Sequence, residues 1–543
     1  MQHSFGGQVE RAVAPVTGTV DAVVVGAGHH GLVAANLLAD AGWDVLVAEA
    51  TDTVGGAVRS DSILPGYTTD VFSAFYPLAA ASPVLAALEL DRYGLEWSHS
   101  PSVLAAVLDD DRAAVLSRDV DVTAESLGAF APRDAEAWHR VWHQWQTLHR
   151  PLVDALFEPF PPLRNGTRLL RRVGTGGALR LARLAVLPAR RLCEEQFEGV
   201  GARALITGNA MHADLSPEAA GSGLYGWLLT MLGQEFGFPV PVGGAHRLPL
   251  ALARRLEAVG GSIRLSTPVE RVLVADGTAT GVVLAGGETV HARRGVLADV
   301  NAPTLFGDLV GHDRLPARMV EDLGRFEWDT STLKIDWALT GPVPWTARAA
   351  RGAGTVHLGA DPDTGTAFNA DLARGRVPER PFVLFGQMTT ADATRSPEGT
   401  ESAWAYTHLP DPDRLDREAV DAQVEKVEAL VEARAPGFRS LIAARRVLSP
   451  LGFEGVDPNL VGGSISLGTE QPHQQLFLRP VPGLGGASTP IDRLYLAGAS
   501  AHPGGGVHGA CGSNAARAAL HRATRRGSVT RRGIDAAFRR IYR

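Results

Sequence analysis

Gly26, Gly28 and Gly31 stand at the spacing G-x-G-x-x-G, and an acid, Glu49, closes the strand that follows. Each position has a physical task. Gly26 permits a tight turn, Gly28 lets the backbone approach a pyrophosphate, and Gly31 lets a helix pack closely on a strand. The start of that helix presents unpaired N–H groups and the positive end of its dipole, which suits phosphate oxygens. Glu49 can accept hydrogen bonds from a ribose 2′-hydroxyl and repels a 2′-phosphate. The elements that must position these residues surround them: an apolar strand ending at Val25, an apolar-striped helix over 32–41, and a second strand over Val45–Ala48. Strand, turn, helix, strand and acid in register predict a dinucleotide site, with Ala27 and His30 of the turn in the same cofactor-binding set.

A second glycine-rich stretch lies near the end of the chain. A strand over 493–498 leads into a loop holding Gly504, Gly505, Gly506, Val507, His508 and Gly509. An alanine-rich helix over 513–522 follows, with Ser513 as its predicted N-cap. Such a loop gathers backbone N–H groups where side chains would obstruct a planar ring. His502 and His508 flank it. An imidazole there can donate a hydrogen bond or exchange protons. For His502 that reading stands beside one in which the ring only fixes the loop; for His508 the loop-fixing role is preferred.

Lys334 sits in Ser331–Leu339, an alternating run whose parity puts Thr332, Lys334 and Asp336 on one face. A desolvated lysine gives up its proton more readily than an arginine and suits proton handling. The alternative is a surface lysine paired with Asp336. The position stands out because the basic residues are otherwise arginine: Lys334 and Lys426 are the two lysines of the chain. Trp138, Trp142 and Trp145 recur at helical spacing and predict core or the wall of an apolar cavity. His139 and His143 could face a metal from one helix, but no third ligand accompanies them. Arg140 also stands where the zinc-helix motif carries glutamate, so no metal site is predicted.

The 543 residues exceed what a single core organises, so two or more domains are predicted. A content of 45% hydrophobic and 20% charged residues is that of an ordinary globular protein, and a net charge of −7 gives no case for nucleic acid. Two cysteines, Cys193 and Cys511, argue against a disulfide framework and a cysteine zinc site. Residues 1–19 read as a loose leader without a basic-then-apolar signal pattern, and no apolar run is long enough to span a bilayer; a cytoplasmic location is expected. Eight arginines and no acid fall between Glu158 and Glu194, from Arg164 to Arg191 with leucines between them. Such a segment, 164–191, could lie on an anionic membrane surface. A solvated helix pair is preferred, because Gly174, Gly176, Gly177 and Pro188 interrupt any long helix.

The β-rich character returns after the amphipathic helix 248–259, with strands predicted at 262–265, 269–274, 281–284 and 290–296. The nucleotide-binding domain is therefore assembled from 20–84, 241–309 and 471–525. Residues 85–240 and 310–470 make a second domain, and 526–543 a C-terminal tail. A second G-x-G-x-x-G coupled to a strand is lacking, since Gly174-x-Gly176 follows arginines. A nicotinamide co-substrate is not implied.

Further motifs carry a resemblance. After Glu49 comes the run Val54 to Ser60, VGGAVRS, then Pro65, Gly66, Tyr67 and Asp70. Gly243-Gly244 precedes the helix at 248, and Gly260-Gly261-Ser262-Ile263 and Val269 follow it. The runs NLVGG at 459–463, FLRP at 477–480 and LYLAGASAHPGGGV at 494–507 complete the set. With these, spread over nearly the whole chain, the sequence resembles the flavin-dependent oxidoreductases of the phytoene desaturase and amine oxidase superfamily. It is most similar to the carotenoid desaturase-like subgroup called pyridine nucleotide-disulphide oxidoreductase domain-containing protein 2.

The resemblance implies an α/β fold, with a Rossmann-type FAD-binding domain built from discontinuous segments and an α+β substrate-binding domain. It places Gly55, Gly56, Ala57 and Arg59 beside FAD, Val269 at the adenine, and Gly498, Ala499, Gly506, Val507 and Gly509 at the flavin. Ala57 departs from the arginine many members carry, with Arg59 as its substitute. Ala499 departs from the acid of amine oxidases, which shifts weight toward desaturases. A strand similar to Ser331–Leu339 carries, in amine oxidases, a lysine that reaches a water at flavin N5. The implied activity is hydride removal from a lipophilic substrate, with oxygen, a quinone or another acceptor taking the electrons. Amine oxidation, a redox-neutral isomerisation and a non-catalytic flavoprotein stay open as alternatives, and no oligomeric state is predicted.

Overall fold

The computed structural model describes residues 18–543; residues 1–17 of the predicted leader lie outside them. Two seven-stranded sheets carry the described chain. At the centre of the first is Thr19–Val25, whose valines are buried on both faces, the pattern of a strand covered by helices on each side. It pairs in parallel with Val45–Ala48 on one edge and Thr289–Ala298 on the other, bringing Val24 opposite Val47 and Leu297. Ser262–Arg264 extends the sheet beyond Val45–Ala48. The hairpin Val269–Ala275 and Thr278–Leu284 extends it the other way, and Leu494–Leu496 also pairs with Thr289–Ala298. Strands from three distant segments of the chain thus form one sheet.

Helices His29–Asp40, Arg247–Ala258 and Ala510–Arg522 share an apolar layer against this sheet through Leu32, Leu248 and Ala515. The last of them begins three residues before the predicted Ser513. Gly509, at φ 73°, turns the glycine loop directly into the helix, and Ser513 lies inside the first turn with its hydroxyl unpartnered. The predicted tail also differs: Arg525–Ile541 is a helix that docks Phe538 and Tyr542 into the core under the first sheet.

The second sheet runs in the order Ile442–Leu448, Ser331–Leu339, Glu401–Leu409, Val383–Gln387, Ala353–Leu358, Ser102–Val107, Ala113–Leu116. Its register sets Thr332 opposite His408, Lys334 opposite Tyr406 and Asp336 opposite Trp404. Leu384 then links Tyr406 to His357 across the next two strands. Side chains alternate along a strand, so these residues share one face. Helices between 132 and 236 cover part of the sheet. Trp138 and Trp145 are core there, donating their indole N–H to Gln234 (2.9 Å) and Glu235 (2.5 Å), and Trp142 packs against the same cluster. The helix Leu163–Leu184 is broken at Gly174, φ 64°, as its glycines predict. Among the described residues no helix is long and apolar enough to cross a membrane.

Candidate functional site

A cavity of about 740 Å³ lies between the two sheets and takes its walls from both. One end is made of backbone. Gly26 adopts φ 93°, and Gly28 caps the helix His29–Asp40 with no side-chain hydrogen bond and no acid in the first turn. The N–H groups of His29 and His30 at its start are left for an anion, that of Gly31 being taken by Asp299. A Cβ on Gly31 would stand 2.3 Å from the Gly26 carbonyl, and one on Gly28 would stand 2.5 Å from the Asp299 carboxylate. Side chains are excluded at both positions. Gly55 donates its N–H to the Ala27 carbonyl at 2.9 Å, and a Cβ on Gly56 would come within 3.4 Å of the Gly28 Cα. A second glycine pair thereby closes the cradle.

Glu49 is fixed beside this turn. Its Oε2 accepts the Ala27 N–H (2.7 Å) and its Oε1 the Thr51 N–H (2.8 Å), and it lines the cavity with Pro268 and Val269. Arg59 donates to the Gly56 carbonyl at 3.3 Å and lies over the Phe72 ring, so it braces the loop that carries Ala57 while facing the cavity. Asp299 is a residue that sequence reasoning missed. Its Oδ2 accepts the Gly31 N–H at 2.7 Å, and burial pushes the carboxyl up to about 7 against that bond, with Glu49 and Asp457 adding repulsion. The available signal is an acid three residues beyond the strand predicted at 290–296, which pairs in parallel with the strand that ends in the glycine turn.

At the other glycine loop, Ala499, Gly506 and Val507 line the cavity. A Cβ on Gly506 would meet Leu78 at 2.6 Å, and one on Gly498 would meet the Val300 carbonyl at 2.9 Å. Of the predicted set, Gly26, Gly28, His30, Glu49, Gly56, Ala57, Arg59, Val269, Lys334, Ala499, Gly506 and Val507 face the cavity. Ala27, Gly31, Gly55, Gly498 and Gly509 shape its backing. His508 also faces it, but the loop holds the ring: Nδ1 accepts the Ala510 N–H at 3.0 Å and Nε2 lies 3.3 Å from the Gly504 carbonyl. Pro503 rather than His502 lines the cavity; the His502 ring packs edge-on against Phe160, and burial pushes its imidazole down to about 4. Buried His30, His508 and Cys511 bring donor atoms within 4.8 Å of one another. Burial pushes the Cys511 thiol up to about 12, and His508 Nδ1 is already engaged, so the three are read as packing around the turn.

The floor of the cavity is the second sheet. Lys334 is 1% exposed; its Nζ donates to the Asp70 carbonyl (2.8 Å) and to the Asp336 carboxylate, which Arg446 also holds at 2.9 Å. The pairing with Asp336 is present, but Lys334 is buried at the cavity and is not the surface lysine of the alternative reading. Burial pushes its ammonium down, and Asp336 opposes the shift. Behind it, Arg395 bonds both oxygens of Asp70 at 2.9 and 3.1 Å and binds Asp392, a buried network that anchors the floor. Trp404 and Tyr406 extend the floor, with His212 at its margin. The roof is apolar: Leu224, Leu228, Leu229 and Leu232 from helix Ser222–Phe236, with Phe75, Leu78, Leu156 and Phe157.

The arrangement fits an extended dinucleotide whose pyrophosphate meets the start of helix His29–Asp40 and whose ring lies toward the apolar end. Comparisons with known proteins agree. Residues 31–306 match the family described as flavin containing amine oxidoreductase. The rat pyridine nucleotide-disulfide oxidoreductase domain-containing protein 2 is 31% identical, over 91% of this chain and 92% of that protein. A phytoene desaturase (neurosporene-forming) of Cereibacter sphaeroides is 25% identical, over 92% of this chain and 94% of that one. In structure, cyclohexylamine oxidase from Brevibacterium oxydans is similar with a TM-score of 0.56 at 16% identity, over 93% of this chain and 99% of that one, a likeness of fold. The resemblance read from the motifs is borne out: the chain belongs to the flavin-containing amine oxidoreductase family and is a flavin-dependent oxidoreductase.

Proposed function

We propose that the flavin is FAD and that the protein oxidises a C–H bond of a lipophilic substrate, leaving a double bond. When bound, FAD supplies the hydride acceptor at N5. The glycine cradle and the first helix would hold its pyrophosphate, Glu49 its ribose, Val269 the adenine, and Ala499, Gly506 and Val507 the ring. The observation that supports the reading is the apolar roof: leucines and phenylalanines face Trp404 and Leu384 across the space where substrate must lie, while polar groups are confined to Lys334, Tyr406 and their neighbours on the floor and to Glu470. Such a roof positions a hydrocarbon and excludes water. Lys334 is proposed to hold a polar atom or water at the floor, and His502 to brace the loop.

A second reading, amine oxidation, draws on the parallel rings of Trp404 and Tyr406 above Lys334. Their centroids are 6.0 Å apart. A group sliding between two rings needs about 7 Å, twice a contact distance of about 3.5 Å. The pair therefore acts as a floor, not a clamp, and the lipophile reading is preferred.

We further propose oxygen or a quinone as electron acceptor and peripheral membrane contact through 164–191. Leu163 and Leu179 are 73% and 70% exposed on the arginine-bearing helix, and Phe477, 55% exposed, follows the cavity residue Leu476. A lipophile would then enter from the bilayer surface.

The test is to purify the protein, identify its cofactor by mass spectrometry and extract any co-purified lipophile. FAD with a polyene or other lipid is the expected result. A preparation that takes up no flavin contradicts the placement of the cradle, and retained polar amines contradict the substrate class.

A further inference from the structure

Two cavities approach each other at one end of the second sheet. His212, the last residue of helix Val200–His212, and Tyr406 line the substrate cavity. A second, more open cleft lies beyond, lined by Asp214 and Asp329 together with exposed Asp411 and Asp413. His408 stands between them, buried, two residues along its strand from Tyr406 and on the same face. Its Nε2 lies 2.7 Å from Asp214 Oδ1. The Tyr406 ring centroid is 6.2 Å from that of His212 and 5.5 Å from that of His408. The Tyr406 hydroxyl, His212 Nδ1, both His408 nitrogens and both Asp214 oxygens are buried with no aligned hydrogen-bond partner, so the His408–Asp214 contact is a charge pair. Unpaired polar atoms in an apolar cavity are costly, so a polar column between two cavities calls for a use.

We propose that His212 takes the proton released by the substrate and that the His408–Asp214 pair passes it to the outer cleft. The step rests on the oxidation proposed above and balances with it. One C–H bond gives its hydrogen and electron pair to the flavin as hydride. The neighbouring C–H bond gives its hydrogen to the His212 imidazole as a proton, and its electron pair becomes the new π bond. His408 hands its own proton toward Asp214 and is reloaded from His212 through the Tyr406 hydroxyl or one water.

The charges are arranged for this direction. Burial, with His408 adding repulsion, pushes His212 down to about 4, so the ring is neutral at pH 7 and free to accept. Burial works against protonation of His408 as well, but the Asp214 carboxylate, aided by Asp329, holds it above the ordinary imidazole range. A charged His408 opposes a second charge on His212, so His408 first passes its own proton toward Asp214; the vacated imidazole, which holds a proton more tightly than His212, is then reloaded from it. The other ionisable groups facing the column are His357, which burial keeps neutral, and Asp329, pushed up to about 6 by burial. Glu470 borders it too, bonded to Tyr225 and near Arg479, and Lys334 stands opposite Tyr406 with its charge held by Asp336.

Histidine-ring NMR on the full chain, assigned with His212→Gln and His408→Gln, reads these charges directly. The expected result at pH 7 is a neutral His212 and a cationic His408, with His408 neutral in Asp214→Asn. A neutral His408 in the parent, or a titration that Asp214→Asn leaves unmoved, overturns the relay. In the holoenzyme, His212→Ala should slow anaerobic flavin reduction by micellar phytoene about 100-fold, with partial rescue by added imidazole. Unimpaired reduction by His212→Ala also overturns the relay. If phytoene fails to reduce the parent flavin, the desaturation reading falls separately, and the NMR result still decides the charge arrangement.

Discussion

The two ends of the cavity are built from different materials. The nucleotide end is backbone: glycines whose missing side chains leave room, helix amides, and one acid at a strand end. The substrate end is side chains: a sheet face of Thr332, Lys334, Trp404 and Tyr406 under a leucine roof. The first recognises a group that does not vary, so it tolerates few substitutions. The second sets which bond is oxidised and can change without disturbing the cradle. The account therefore requires that the two ends fail separately.

The largest effect should come from the cradle. Gly31→Val puts atoms within 2.3 Å of the Gly26 carbonyl, which is backbone and cannot yield, and flavin retention should be abolished while the second sheet stays folded. Flavin content and circular dichroism check this; a variant that keeps its flavin breaks the placement of the pyrophosphate. At the other end, Lys334→Met should keep flavin bound yet slow its reduction by substrate about 100-fold. Loss of flavin in that variant would mean that the two ends are not separable.

Asp299 gives an intermediate effect and a pH dependence. Its carboxyl titrates at about 7 in the folded chain, above the ordinary value of 3.8. The folded state then binds the proton more tightly than the unfolded chain, so stability of the flavin-free protein falls as pH rises toward 7 and changes little above it. Bringing a pyrophosphate beside the ionised form adds repulsion. Flavin binding should be about tenfold weaker at pH 8 than at pH 6. Asp299→Asn should flatten both slopes, and fluorescence titration at the two pH values checks it. The smallest effect is at the surface: replacing Leu163 and Leu179 with aspartate should weaken sedimentation with anionic vesicles several-fold and leave reduction by micellar substrate unchanged.

The cradle was legible in the sequence because its determinants are local. Turn, helix and acid follow one another from Val25 to Glu49, and Val45–Ala48 and Ser331–Leu339 fall where alternation and apolar runs put them. Parity alone placed Thr332, Lys334 and Asp336 together. The partners of Lys334 were not legible, since Asp70, Trp404 and Tyr406 reach it through pairings between distant segments. Asp299 and the His212–His408–Asp214 column were missed for the same reason: a buried charge shows its role only when the group it faces is known. Ser513 misled because a serine before an alanine-rich run is a common cap, and here a left-handed glycine did that work three residues earlier.

The most direct test of the central claim is an anaerobic titration of the purified holoenzyme with phytoene in micelles and, in parallel, with cyclohexylamine. The account predicts that the polyene bleaches the visible flavin band and the amine does not. Bleaching by the amine alone would contradict it.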